Sequence, residues 1–162
     1  MDSVEDKAKY AAVTKLTPLR EHDAPFTPCF LFFYGSLMDS DVLQAILELP
    51  TVPLTHKAFL EGFTIKMWGI YPAIIQGGGE KILGTVWKVD SETHFLRLAE
   101  YETSNYTWCP CNVELENGEV LSGCRTFCWA GDPKSKDLAD GSFDLERYQK
   151  YFKQSVVRNS PK

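Results

Sequence analysis

The sequence predicts an α+β protein: a small, mixed or largely antiparallel sheet that curls toward a barrel and is flanked by short helices. Three observations lead there. Several short β-favouring runs follow one another, three segments carry apolar residues at helical spacing, and no strand-helix-strand rhythm of a parallel sheet recurs.

The elements follow in order. Residues 29–34, Cys-Phe-Leu-Phe-Phe-Tyr, form an apolar and aromatic run ended by Gly35-Ser36, the pattern of a buried strand entering a tight turn. Val42, Leu43, Ile46 and Leu47 then recur at helical spacing, with Asp39 or Ser40 available as N-cap. Residues 63–68, 73–75 and 82–89 read as strands, separated by Tyr71-Pro72 and by Gly77-Gly78-Gly79. In residues 91–101 a helix sets Phe95 and Leu98 on one face, and the same spacing aims Glu102 to that side. Residues 106–115 and 120–129 form two further strands, joined by Glu116-Asn117-Gly118-Glu119, where Asn-Gly signals a two-residue hairpin turn. Leu145, Tyr148, Tyr151, Phe152 and Val156 place one terminal amphipathic helix over 143–157.

At 162 residues the chain fits one domain rather than two. Residues 1–28, with Pro18, Pro25 and Pro28 and no sustained apolar period, are expected to be an extension, long enough for a lid; residues 29–158 are the expected domain. With 44% hydrophobic and 24% charged residues the chain has the composition of a globular protein that buries a core. Lys and Arg number 17 against 22 Asp and Glu, so the net charge of −5 supplies no basic footprint for nucleic acid. Charges at Asp2, Glu5, Asp6, Lys7 and Lys9 do not fit a secretory signal, and no stretch approaches the roughly 20 apolar residues of a membrane span. A cytoplasmic protein with neither a nucleic-acid nor a membrane partner is expected.

Cys29, Cys109, Cys111, Cys124 and Cys128 are an odd number, which suggests reduced thiols. Cys109-Pro110-Cys111 is not the CxxC of a zinc site, and Cys124 and Cys128 sit at alternating strand positions, where burial is the expected fate. His22, His56 and His94 show no metal or triad spacing. No metal or other cofactor is expected.

Two motifs carry possible chemistry. Tyr34-Gly35-Ser36-Leu37 stands at a strand's end before a helix, where successive N–H groups can cradle a carboxylate or an oxyanion. Leu98-Ala99-Glu100-Tyr101-Glu102, followed by Tyr106, projects a carboxylate from an apolar helical face; desolvation there raises its pKa toward values useful in proton transfer. Each also has a plain structural reading, as an ordinary turn and as solvated surface acids.

Together these motifs, with Gly62-Phe63, Tyr71-Pro72-Ala73-Ile74 and Gly84-Thr85-Val86 between them, resemble the γ-glutamylcyclotransferase-like superfamily, in the branch named after avirulence-induced plant proteins. The likeness spans about residues 30–157, including Trp129 and the 143–152 segment. It implies a small curled β-barrel flanked by helices, and a catalytic glutamate that closes a Leu-Asp-x-x-Glu-Gly motif and falls on Glu102. The implied reaction cyclises a γ-glutamyl group to 5-oxoproline and releases an amine or amino acid, without a metal. Glu102 would be the general acid/base, the backbone of Gly35, Ser36 and Leu37 would hold the substrate, and Tyr34 and Tyr106 would complete the site for this small-molecule partner.

This chain departs from the family pattern at three places. Ala99 replaces the motif's Asp, Thr103 replaces its Gly, and Trp108 and Cys109 stand where an Arg is expected. Trp108 at the pocket's edge would favour a less polar substrate, and as a bulky strand residue it equally serves packing. Tyr106 likewise reads either as a substrate contact or as a structural tyrosine. Two other functions share these residues: a proton-transfer isomerase or cyclase of specialised metabolism, and a small-ligand-binding module without catalysis.

Overall fold

The computed structural model describes residues 25–159, with the side chains of the last two left out. The expected extension, residues 1–28, lies outside the described residues except for its last four. Of those, Phe26 reaches the core, its ring 5.7 Å from that of Phe95.

The chain runs β1 (Cys29–Phe33), a 3-10 turn (Ser36–Met38), α1 (Ser40–Leu47), β2 (His56–Trp68), β3 (Tyr71–Val89), α2 (Glu92–Glu102), β4 (Tyr106–Leu115), β5 (Val120–Trp129), α3 (Leu145–Tyr151) and α4 (Lys153–Asn159). The strands close a barrel in the order β1-β3-β2-β4-β5. Every pairing is antiparallel except the seam, where β1 meets β5 in parallel at Leu31 with Arg125 and Phe32 with Thr126. The fold is the α+β barrel with short flanking helices that the sequence predicts.

Alternation along β1 shows how the barrel separates its two apolar layers. Phe32 and Tyr34 join Ala58, Leu60, Ile74, Val86, Val113 and Cys124 in a cluster made of barrel residues alone, which fills the lumen. Leu31 and Phe33 face the other way, into a cluster with Leu43 of α1, Leu98 of α2 and Tyr148 of α3, which seats the helices on the outer wall. No described helix is long and apolar enough to cross a membrane.

Three sequence expectations need correction. The pieces read as separate strands are one long hairpin: β2 pairs with β3 from His56–Trp68, and the glycines at 77–79 lie within β3 instead of ending it. Only the register shifts, between Glu61 and Phe63. The 115–119 connection is a three-residue loop rather than a two-residue turn, because Leu115 and Glu119 still pair and Gly118, at φ 91°, takes the bulge position. The terminal helix is two helices, broken at Phe152, whose N–H still reaches the Tyr148 carbonyl at 2.8 Å.

The capping signals act as expected, with Asp39 chosen over Ser40. Its carboxylate accepts from the amides of Asp41 and Val42, starting α1. Ser91 does the same for α2.

Candidate active site

The carbonyl end of β1 leads into Tyr34 and the 3-10 turn. There Gly35, with Ser36 and Leu37 both nearly buried, forms one side of a cavity of about 440 Å³. Space is tight at Gly35: a Cβ at this position would stand 3.0 Å from Cγ of Pro72, on the facing strand, whose ring would have to give by a few tenths of an ångström. The first bond inside the turn runs from Met38 N–H to the Gly35 carbonyl at 2.9 Å, so the amides of Ser36 and Leu37 come before its first internally bonded donor.

The last turn of α2 forms the opposite contribution to this cavity. Phe95 and Leu98 are buried against the barrel, and one helical period further on Glu102 joins Tyr101 and Thr103 in the lining. Glu102 as a residue keeps some solvent access, and its carboxyl is the enclosed part. That burial pushes the carboxyl up to about 8. Among the described residues it is the one charged side chain on the cavity wall.

Tyrosines surround this carboxyl. Tyr34, Tyr101 and Tyr106 are all raised above the ordinary phenol value, first by burial and then by repulsion from charges that include Glu102, so each keeps its proton. The Tyr34 hydroxyl donates to the Phe127 carbonyl across the seam, and Tyr106 donates to the Pro72 carbonyl at 2.8 Å. Those donations brace the wall, so Tyr34 and Tyr106 contribute their rings and their remaining lone pairs to the site. Tyr106 is also wedged edge-on between Trp68 and Trp129, at centroid distances of 6.1 and 6.0 Å.

All six candidates, Tyr34, Gly35, Ser36, Leu37, Glu102 and Tyr106, therefore line a single cavity. Trp108 does not. Two residues further along β4, about 7 Å away, it packs on Phe95 and lies under the Arg125 guanidinium, 4.0 Å from its ring centroid. Packing is its role. Glu100 is likewise absent from the lining.

Tyr101, Tyr148, Trp68, Tyr71, Phe152 and Val156 also line the cavity, with Asn105 and Ser155 among its polar side chains, and none of these is a site candidate in the sequence. Tyr101 bonds Ser36, hydroxyl to hydroxyl, at 2.8 Å. Tyr148 is 4% exposed, and its phenol stands beside that of Tyr101, which it helps to raise. Behind the wall, Asp39 ties α1 to the C-terminal helices. Burial alone would raise its carboxyl; the hydrogen bonds from Lys153 at 2.9 Å, Gln149 at 2.7 Å and Val42 outweigh that and hold it below the usual range. A periodic pattern marks Tyr148 as apolar-face, and only the tertiary fold brings it to this cavity.

The cysteines stay apart from this wall. Cys124 is buried in the lumen, burial pushes the thiols of Cys111 and Cys124 up to about 12 and 11, and Cys128 Sγ donates to Cys109 Sγ at 2.9 Å. Among the described residues no three His, Cys, Asp or Glu side chains gather as a metal site.

Known proteins resemble this chain in sequence and in fold. AIG2-like protein C of Arabidopsis thaliana is 30% identical over 136 residues, covering 82% of this chain and 76% of that protein. The solution structure of another Arabidopsis thaliana protein superposes with a TM-score of 0.60 at 24% identity, covering 83% of this chain and 80% of that one. A structure described as a gamma-glutamyl cyclotransferase superposes at 0.55 and 18% identity, over 64% of this chain and 68% of that one; both superpositions speak to the fold. Residues 31–149 match the family described as gamma-glutamyl cyclotransferase, AIG2-like. With that match over most of its length, the chain belongs to the gamma-glutamyl cyclotransferase, AIG2-like family.

Proposed function

We propose that this protein cyclises a γ-glutamyl group to 5-oxoproline and expels the attached amine, with Glu102 as general acid/base. The observation that carries this reading is a lone, desolvated carboxyl facing the same cavity as a tight backbone turn. The substrate's α-amine attacks its own γ-carbonyl carbon. A new C–N bond closes the five-membered lactam and the C–N bond to the leaving amine breaks. An ammonium cannot attack, so Glu102 takes one proton from it; the ring nitrogen sheds a second once the C–N bond has formed, and both end on the departing nitrogen, which leaves as an ammonium with no water consumed. A carboxyl near 8 suits both transfers, because it accepts and donates with little driving force lost either way.

The amides of Gly35, Ser36 and Leu37 hold the substrate carboxylate or the developing oxyanion, a preorganised polar surface that does not have to rearrange during reaction. Aromatic walls from Trp68, Tyr106 and Phe127 keep the chain folded for attack and exclude water. Water exclusion matters here because hydrolysis of the same amide is the competing outcome.

Turnover of γ-glutamyl-ε-lysine, γ-glutamyl amino acids and γ-glutamyl alkyl and aryl amides in heavy-oxygen water tests the reaction class. Cyclisation yields 5-oxoproline without label. Glutamate carrying heavy oxygen would make the protein a hydrolase instead, and a ligand bound and recovered unchanged across the panel would make it a binding module.

A further inference from the structure

The part of the cavity that a glutamyl group does not occupy has its own chemistry. A volume of about 440 Å³ lies in the range that encloses drug-sized ligands, so the leaving group is housed as well. Away from the turn and the tyrosine hydroxyls, the wall is mainly apolar, with Trp68, Tyr71, Phe127, Phe152 and Val156, and the polar side chains it adds, Thr103, Asn105 and Ser155, are uncharged. Trp68 and Tyr71 flank the β2–β3 turn with their rings 6.3 Å apart and tilted by 40°, an aromatic surface at the cavity.

Among the described residues no Lys, Arg or His lines this space. Three cations near its wall in sequence are engaged elsewhere. Lys66, two residues before Trp68, pairs with Asp140. Lys153, next to Phe152, holds Asp39 at 2.9 Å and Asp41 at 3.0 Å. Arg125, two residues before Phe127, lies over the Trp108 ring.

We infer that the expelled amine is an arylalkyl monoamine, carrying no charged group besides its reacting nitrogen, rather than an amino acid or peptide. This rests on the cyclisation reading above. An amino acid joined through its α-nitrogen bears a carboxylate on the carbon attached to the scissile nitrogen, and one joined through a side chain, as in γ-glutamyl-ε-lysine, carries its charged groups further along, so in either case charge enters with it. Inside, the amino acid's carboxylate meets a mainly aromatic wall that among the described residues offers no cation to pair with, and it repels Glu102 when the Glu102 carboxylate forms. An aryl group in the same position buries its ring against Trp68 and Tyr71 in the tilted and edge-on geometries aromatic pairs adopt. Atoms balance as before: two protons of the α-ammonium leave with the amine, and 5-oxoproline remains.

The test is a matched pair, γ-glutamyl-phenethylamide and γ-glutamyl-phenylalanine, which differ only by that carboxylate. The phenethylamide is expected to show kcat/KM at least tenfold higher. Equal or reversed values, with 5-oxoproline formed, would overturn the inference and leave the cyclisation standing. If neither is turned over, the cyclisation reading fails, and calorimetry of the same pair on Glu102→Gln still decides the pocket's preference: tenfold tighter binding of the phenethylamide supports it, equal binding overturns it. Tyr71 is 44% exposed and accepts a longer cation without buried strain. Tyr71→Lys should therefore narrow the difference at least threefold by favouring the phenylalanine conjugate, and an unchanged ratio would count against the inference.

Discussion

The hydroxyls of Ser36 and Tyr101 lie 2.8 Å apart and join the turn after β1 to the last turn of α2, one residue from Glu102. This one bond sets the spacing between the two halves of the site. Tyr101→Phe removes it and leaves the nearly buried Ser36 hydroxyl unpaired, at a cost of about 1 kcal/mol. Because the acid itself is untouched, KM should rise several-fold while kcat falls less, measured in steady-state kinetics beside a thermal melt.

Thr103 occupies the position where the family motif has glycine, and its backbone sits at φ 71°, ψ 174°. That region is close to glycine-only, and a β-branched residue held there costs about 1–3 kcal/mol. Its hydroxyl partly offsets this by accepting from both nitrogens of Asn105. Thr103→Gly should raise Tm by a few degrees, net of the greater freedom glycine gives the unfolded chain. A fall in Tm would mean that the Asn105 bonds outweigh the strain.

Glu102 makes stability and activity respond oppositely to pH. Its folded pKa, about 8, stands above the 4.5 of the unfolded chain. Between those values the native state binds more protons, so stability present below 4.5 is lost as pH rises and levels off above 8. Glu102→Gln removes the effect: its Tm should exceed that of wild type at pH 9 and match it at pH 4. The kcat/KM of wild type should instead climb through pH 8 as the carboxylate forms, then decline where the substrate's ammonium titrates.

Gly84 shows how closely the barrel wall is packed. A Cβ here would fall 2.1 Å from the Phe33 carbonyl oxygen and 2.6 Å from the Phe32 ring. Backbone cannot yield by that amount, so Gly84→Ala should cost about 4 kcal/mol or more, or prevent folding. Chemical denaturation of the purified variant, or its absence from the soluble fraction, reads this directly.

What was legible in the sequence is what local periodicity encodes. Alternation placed β4 and β5 within their bounds, and the spacing of Phe95, Leu98 and Glu102 pointed the acid to the core side of α2. The glycines at 77–79 read as a break because glycine is rare in strands, yet cross-strand pairing with β2 carries β3 through them. The helical period runs unbroken past Phe152, and the split into α3 and α4 goes with a contact no local pattern reports, Lys153 reaching Asp39 and Asp41. The family resemblance puts Trp108 at the pocket's edge, where an Arg is expected, with packing as the other reading. Strand rise carries it away to Phe95 and Arg125. Tyr148 reached the site unannounced for the same reason as Lys153, since long-range packing chose its partners.

The central claim is that Glu102 moves the proton of an intramolecular cyclisation, and mass spectrometry of 5-oxoproline tests it most directly. Wild type and Glu102→Gln, matched by circular dichroism for folding, are incubated with the same γ-glutamyl amides at pH 8. The account predicts 5-oxoproline and free amine in equal amounts from wild type, with a rate lower by about 10²–10⁴ from Glu102→Gln. Equal rates from the two proteins, or amine released without 5-oxoproline, would contradict it.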